Sequence, residues 1–125
     1  MKIGPGEWEI VLTGSSPETA EKIVEALRIE NDASTWGEEI YFSIPVDMTP
    51  EDEKAVVSLG DVAYWPEGQC FCVFFGRTPM TTDLEEIRPA SAVNVFGKIE
   101  GDLEALKKVN AGEKVRLESI GIERG

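Results

Sequence analysis

Histidine is absent from all 125 residues. That absence removes the Ser-His and Cys-His pairings in which imidazole activates a nucleophile, and with them the commonest transition-metal ligand. Cysteine is nearly as scarce: Cys70 and Cys72 are the only two, too few for a disulfide framework and in keeping with a reducing compartment. They flank Phe71, so a strand carries both thiols on one face; as a metal half-site the pair lacks partners, and neighbours two apart cannot bridge without strain. Core packing is the reading for both, and the sequence asks for no metal and no cofactor. Glutamine occurs once, at Gln69, against abundant glutamate, a balance suited to a heat-adapted source.

Long apolar runs are missing too. Met1 is followed by Lys2 and a Gly/Pro turn rather than an apolar leader, and no stretch approaches the ~20 apolar residues that span a bilayer. The expectation is a cytoplasmic protein with no membrane partner. Basic residues are outnumbered: 12 Lys and Arg against 24 Asp and Glu leave a formal charge of -12. Such a field repels phosphate backbones, so nucleic acid is not an expected partner either.

What is present suffices for one domain over residues 1–125 with a single core. Residues 7–13, EWEIVLT, alternate so that Trp8, Ile10 and Leu12 share one face of a half-buried strand. Next, Ser16 stands as a helix N-cap with Pro17 at the first helical position and Ser15 and Glu18 in capping-box spacing; Ala20, Ile23, Val24 and Leu27 follow at helical intervals. After a polar turn comes EEIYFSIPV, residues 38–46, a strand whose two adjacent aromatics, Tyr41 and Phe42, raise the question of core or pocket. Thr49 and Pro50 are placed to start a short acidic helical turn. Residues 61–65 and 70–75 read as strands joined at Pro66-Glu67-Gly68, the second apolar on both faces and hence central. Residues 77–89 read as a loop, 92–99 as a strand, Asp102 as the cap of a short helix carrying Leu103, Leu106 and Val109, and 113–120 as the last strand. Six or more short strands with only two helices leave no helices for parallel crossovers. The expected fold is mainly β: a closed antiparallel barrel, which hides its edges, with one helix near each terminus.

The order of motifs resembles that of the cyclophilins. SPETAEKIVEAL after a strand is similar to the cyclophilin opening, GDVAYW and GQCFCVF stand where that family has two central strands, and NVFGKIEGDLEALKKV resembles its Val-Phe-Gly-Lys-Val strand and second helix. More closely, TWGEEIYFSIPV, GDVAYWPEG, FFGRTP and PASAVNVFGKI look like the small, atypical cyclophilin-like proteins of archaea and thermophilic bacteria, a family without an assigned biochemical role. The resemblance implies the fold and not the prolyl isomerase activity. True cyclophilins carry an arginine that polarises the substrate carbonyl; here the corresponding letter is Phe42, which supplies neither charge nor donor. The pocket positions before Phe-Gly-Lys correspond to Val93 and the Arg88 region, and Trp65 replaces a small alanine, so a bulky ring is expected in the old groove.

Ligand-binding candidates follow from these readings. Trp36, Tyr64 and Trp65 concentrate beside turns, and Arg77-Thr78 ends a strand, together an aromatic groove with a few polar groups. Glu38, if it shares a cleft with Trp36, has a raised pKa and acts as an acid or base; Glu39 beside it points to the opposite face. Asn94 lies in an apolar strand and needs a partner. The leading expectation is a non-catalytic domain that binds a small molecule or short peptide, with self-association left open. The alternative is a divergent prolyl isomerase in which Arg77 or Arg88 relocates the missing charge and Phe75 or Trp65 packs on the proline ring.

Overall fold

Strand pairing divides the chain between two antiparallel sheets. The computed structural model describes residues 1–82 and 86–120. The smaller sheet contains β1 (Lys2–Ile3), β2 (Gly6–Glu7), β4 (Ile29–Asp32) and β10 (Lys114–Leu117) in the order β2-β1-β10-β4. The larger contains β3 (Glu9–Leu12), β5 (Ser34–Thr35), β6 (Glu39–Ser43), β7 (Asp61–Trp65), β8 (Cys70–Phe74) and β9 (Asn94–Glu100) in the order β3-β9-β7-β8-β6-β5. Two helices, α1 (Pro17–Ala26) and α2 (Leu103–Leu106), complete the secondary structure. The mainly β class with two helices is as expected.

The closed barrel is not. Neither sheet hydrogen-bonds back on itself; the chain passes between them at two corners. Residues 6–12 leave the small sheet and enter the large one at Trp8, so the strand expected over 7–13 is two short strands. Residues 29–35 make the same passage at Ala33. Each corner residue is held on the small-sheet side: Trp8 N–H donates to Met1 O at 2.8 Å, and Ala33 N–H to Glu113 O at 2.8 Å. Strands that switch sheets at bends are how two packed sheets share corners without one continuous ladder. Trp8 and Ala33 are both buried there.

Alternation assigns the core. On β6, Ile40 and Phe42 face inward; on β8, Phe71 and Val73 do; on β7, Val62 and Tyr64 do. Phe42 stacks on Phe71 at 5.0 Å between centroids, and Phe96 meets Phe71 edge-on at 5.7 Å. Residues on the outer face of the same strands, among them Ala63, Cys70, Cys72 and Phe74, are buried in a second cluster with Val57, Ile87 and Val93. The central sheet is thus covered on both sides. That explains why β8, expected to be central, is buried along its full length between β7 and β6.

Helix α1 starts differently from its local signals. Ser16 adopts a left-handed conformation (φ 48°) and makes no side-chain cap, so the expected capping box does not form. Glu51 caps the helix from 33 residues away instead: its carboxylate accepts from the N–H groups of Glu18 (3.0 Å) and Thr19 (2.8 Å) and from the Thr19 hydroxyl (2.6 Å). The acidic segment after Thr49 serves this cap rather than forming the expected helical turn. Desolvation pushes the Glu51 carboxyl upward, but the three hydrogen bonds outweigh it and hold the group below its ordinary value. A carboxyl lowered by folding stabilises above its unfolded pKa, and that contribution is lost as pH falls through the folded value. Glu51→Ala is therefore expected to cost about 1 kcal/mol at neutral pH, read from denaturant midpoints, with the deficit vanishing at acid pH. Asp102 caps α2 as expected, accepting from Glu104 N–H at 3.0 Å.

Candidate functional site

The outer face of the large sheet carries a cavity. Its shape follows from register: Tyr41 on β6 pairs with Cys72 on β8, Cys72 pairs with Ala63 on β7, and Trp65 pairs with Cys70. Small side chains therefore occupy the middle of the face, while Tyr41 and Trp65 stand on the strands to either side. Pro89, Ala90 and Val93 close over this hollow, and Trp36 completes it, leaving about 220 Å³.

Trp36 reaches the cavity through a tight hairpin. The N–H of Trp36 donates to Glu39 O (3.0 Å) and that of Glu39 to Trp36 O (3.2 Å), which sets the two side chains opposite each other on one face. Gly37 makes the turn with φ +61°, and a Cβ there would come within 2.7 Å of Arg77 O. On the other side, Trp65 lies over the β7–β8 turn, where a Cβ on Gly68 would be 2.3 Å from the indole ring. The Trp65 Nε1–H donates to Ser91 Oγ at 2.5 Å, tying the ring to the covering loop.

Glu39 is the charged group of this cavity. It is 6% exposed. Desolvation raises its pKa from the ordinary 4.5 to about 7, only partly offset by a hydrogen bond with the Cys72 thiol. Among the described residues, no lysine or arginine forms a salt bridge with it: Lys107 pairs with Glu38 and Glu104, Lys98 with Asp61, and Arg88 with Glu86. The thiols are not nucleophiles here. Burial pushes Cys72 far up, Glu39 beside it adds to this, and burial raises Cys70 as well. No group of His, Cys, Asp and Glu among the described residues is placed to hold a metal ion.

The model of the family described as "Cyclophilin-like" matches residues 1–118. The chain belongs to the cyclophilin-like family. It is also similar to the solution structure of a hypothetical protein from Archaeoglobus fulgidus, with 47% identity and a TM-score of 0.80 over 94% of this chain and 89% of that one. No curated protein matches it.

Within this cyclophilin-like protein the residues singled out from sequence separate into groups. Trp36 and Trp65 line the cavity. Phe42, Tyr64 and Phe75 belong to the inner core and do not reach it; Tyr64 spends its hydroxyl on Val46 O at 2.7 Å. Asn94 is fully buried and structural, accepting from Glu51 N–H (2.8 Å) and donating to Thr19 Oγ1 (3.1 Å) and Thr49 O (3.0 Å). Thr78 is buried in a loop pin: its hydroxyl donates to Arg88 O and shares a 3.1 Å contact with Thr81 Oγ1. Glu38 accepts from Arg77 N–H at 3.1 Å and faces Lys107 at 3.5 Å, outside the cavity. Arg77 is exposed, and Arg88 pairs with Glu86 at 2.9 Å; neither lines the hollow. Glu39, not Glu38, shares the cavity with Trp36, so the condition placed on Glu38 is not met, and Tyr41 and Cys72 line the hollow without having been among the expected site residues. Part of the loop read over 77–89, residues 83–85, lies outside the described residues.

Proposed function

We propose that this cyclophilin-like protein binds a small molecule, or one side chain of a short peptide, in the cavity on the outer face of its large sheet, and that it does not catalyse prolyl isomerisation. The carrying observation is the lining itself: Trp36, Tyr41 and Trp65 around one buried carboxylate, with no arginine or lysine. Concave, mostly aromatic hollows with one well-placed polar group are how small ligands are held. Rotation about an Xaa-Pro bond faces a barrier of roughly 18–20 kcal/mol, and positioned charge is usually the largest catalytic contribution. A carboxylate is the wrong sign to polarise a carbonyl oxygen. Arg77 and Arg88, the side chains that a divergent isomerase would recruit, do not line this hollow, and Arg88 pairs with Glu86.

Two measurements on one sample test this. A proline-peptide isomerisation assay across a panel of preceding residues is expected to stay at the uncatalysed rate at high protein concentration. In a fragment screen read by indole NMR resonances, hits are expected to move Trp36 and Trp65 and leave Trp8 unchanged. A catalysed rate that disappears with Arg77→Ala or Arg88→Ala would instead establish the isomerase.

A further inference from the structure

The cavity combines two features that a purely apolar site does not need. Its lining holds the side chain of Glu39, a buried residue, and among the described residues its carboxylate has no cationic partner. Burying an ionised carboxylate unpaired is costly, whereas pairing it with a cation recovers much of that cost. Among the described residues, no side chain supplies the cation. Three aromatic rings, Trp36, Tyr41 and Trp65, line the same hollow, and the faces of such rings attract cations, tryptophan most strongly. The formal charge of -12 adds a field that draws cations toward the molecule and repels anions.

We propose that the cavity is a site for a small organic cation, a protonated or N-methylated amine, whose ammonium group meets Glu39 while its carbon skeleton lies among Trp36, Tyr41 and Trp65. This assignment rests on reading the cavity as a ligand site. The volume, about 220 Å³, equals that of roughly seven water molecules at ~30 Å³ each, which suits an alkylamine or the end of one lysine side chain and is too small to enclose a nucleotide. Specificity follows from sign: a carboxylate ligand meets repulsion, and a neutral alcohol of equal size gains the rings but no ion pair. Binding strengthens as pH rises through the titration of Glu39. The other titratable groups lining the hollow are Tyr41, from β6, and Cys72, from β8, whose thiol stays protonated; Pro89, Ala90, Val93 and the two tryptophans do not titrate.

The test is a titration of the intact protein with n-butylammonium and tetramethylammonium, against n-butanol as the neutral isostere and butyrate as the anion, followed by NMR of the indole resonances at pH 8 and pH 5. At pH 8 n-butylammonium is expected to bind at least roughly tenfold more tightly than n-butanol, to lose that advantage at pH 5 and in Glu39→Gln, and butyrate is expected not to bind. Equal binding of alcohol and ammonium, or ammonium binding unchanged in Glu39→Gln, would overturn the cation assignment while leaving the ligand site standing. Failure of all four probes to move Trp36 or Trp65 would remove both. A folded Glu39→Gln protein is confirmed by its unchanged core resonances, and Trp65→Ala provides a second variant that weakens ammonium binding without touching the charge.

Discussion

Glu39→Gln is expected to abolish a stability loss of about 3 kcal/mol that the parent protein undergoes as pH rises from 4.5 to about 7. The sign follows from the direction in which burial moves this group. Desolvation holds the folded carboxyl at about 7 against an ordinary 4.5, so between those values the folded protein binds the proton that the unfolded chain has released. Stability then falls with rising pH. Below 4.5 both states are protonated and the cost is absent; above about 7 both are ionised and the cost is complete. At ~1.4 kcal/mol for each pH unit, the interval from 4.5 to about 7 corresponds to the stated loss.

The difference between the two proteins isolates this group, because Glu51 and the surface carboxylates titrate alike in both. Denaturant unfolding at half-unit intervals should give near-equal stabilities at acid pH and a growing advantage for Glu39→Gln toward neutrality. Cys70 and Cys72, the thiols nearest to Glu39, are raised and remain protonated through this window. Parallel curves for the two proteins would mean that Glu39 is ionised and compensated, which would also weaken the case for an incoming cation. A saturating ammonium ligand should restore part of the lost stability in the parent protein alone, since whatever binds the folded state preferentially stabilises it.

Much of the fold was legible because local chemistry and tertiary context agree. The Pro66-Glu67-Gly68 turn between two apolar runs marked β7 and β8, the doubly apolar CFCVF marked a central strand, and Asp102 marked the start of α2. The corners were not legible. Nothing in the alternation of residues 7–13 signals that Trp8 leaves one sheet for another, because the period of two is kept on both sides of the bend. The cap of α1 was hidden for a different reason: Ser15, Ser16 and Glu18 satisfy every local rule, and a carboxylate from a distant loop displaced them.

The cavity lay between these cases. Alternation does place Glu38 and Glu39 on opposite faces, but it does not say which face is buried. The usual assumption of one wet face and one dry face fails here, since the large sheet is covered on both. An acidic residue beginning a strand normally reads as solvated; Glu39 is buried because the covering segment from Pro89 to Val93 arrives from fifty residues later in the chain. Phe42 illustrates the same limit. Its place in the cyclophilin pattern drew attention to it as a site residue, yet the phase of β6 turns it inward onto Phe71 and turns its neighbour Tyr41 outward.

Asn94→Ala is expected to destabilise the protein by about 3 kcal/mol, the second large effect, because the side chain satisfies several groups at once. Its amide links three segments: it accepts from Glu51 N–H, and donates to Thr49 O and to Thr19 Oγ1 on α1. Truncation leaves those partners unsatisfied near a buried position and opens a small void. Asn94→Asp keeps the acceptor and loses both donors, so it should recover only a minor part of the loss. The site should respond as well. Val93, the preceding residue, lines the cavity and exchanges backbone hydrogen bonds with Lys54 at 2.8 and 3.0 Å, so one strand end anchors the 49–54 segment inside and roofs the cavity outside. Glu51, whose backbone Asn94 holds and whose carboxylate caps α1, lies on the same segment. Asn94→Ala combined with Glu51→Ala should therefore cost clearly less than the sum of the two single changes. Additive costs would show that Asn94 and the Glu51 cap on α1 act independently, and would remove Asn94 as the residue that positions the capping segment.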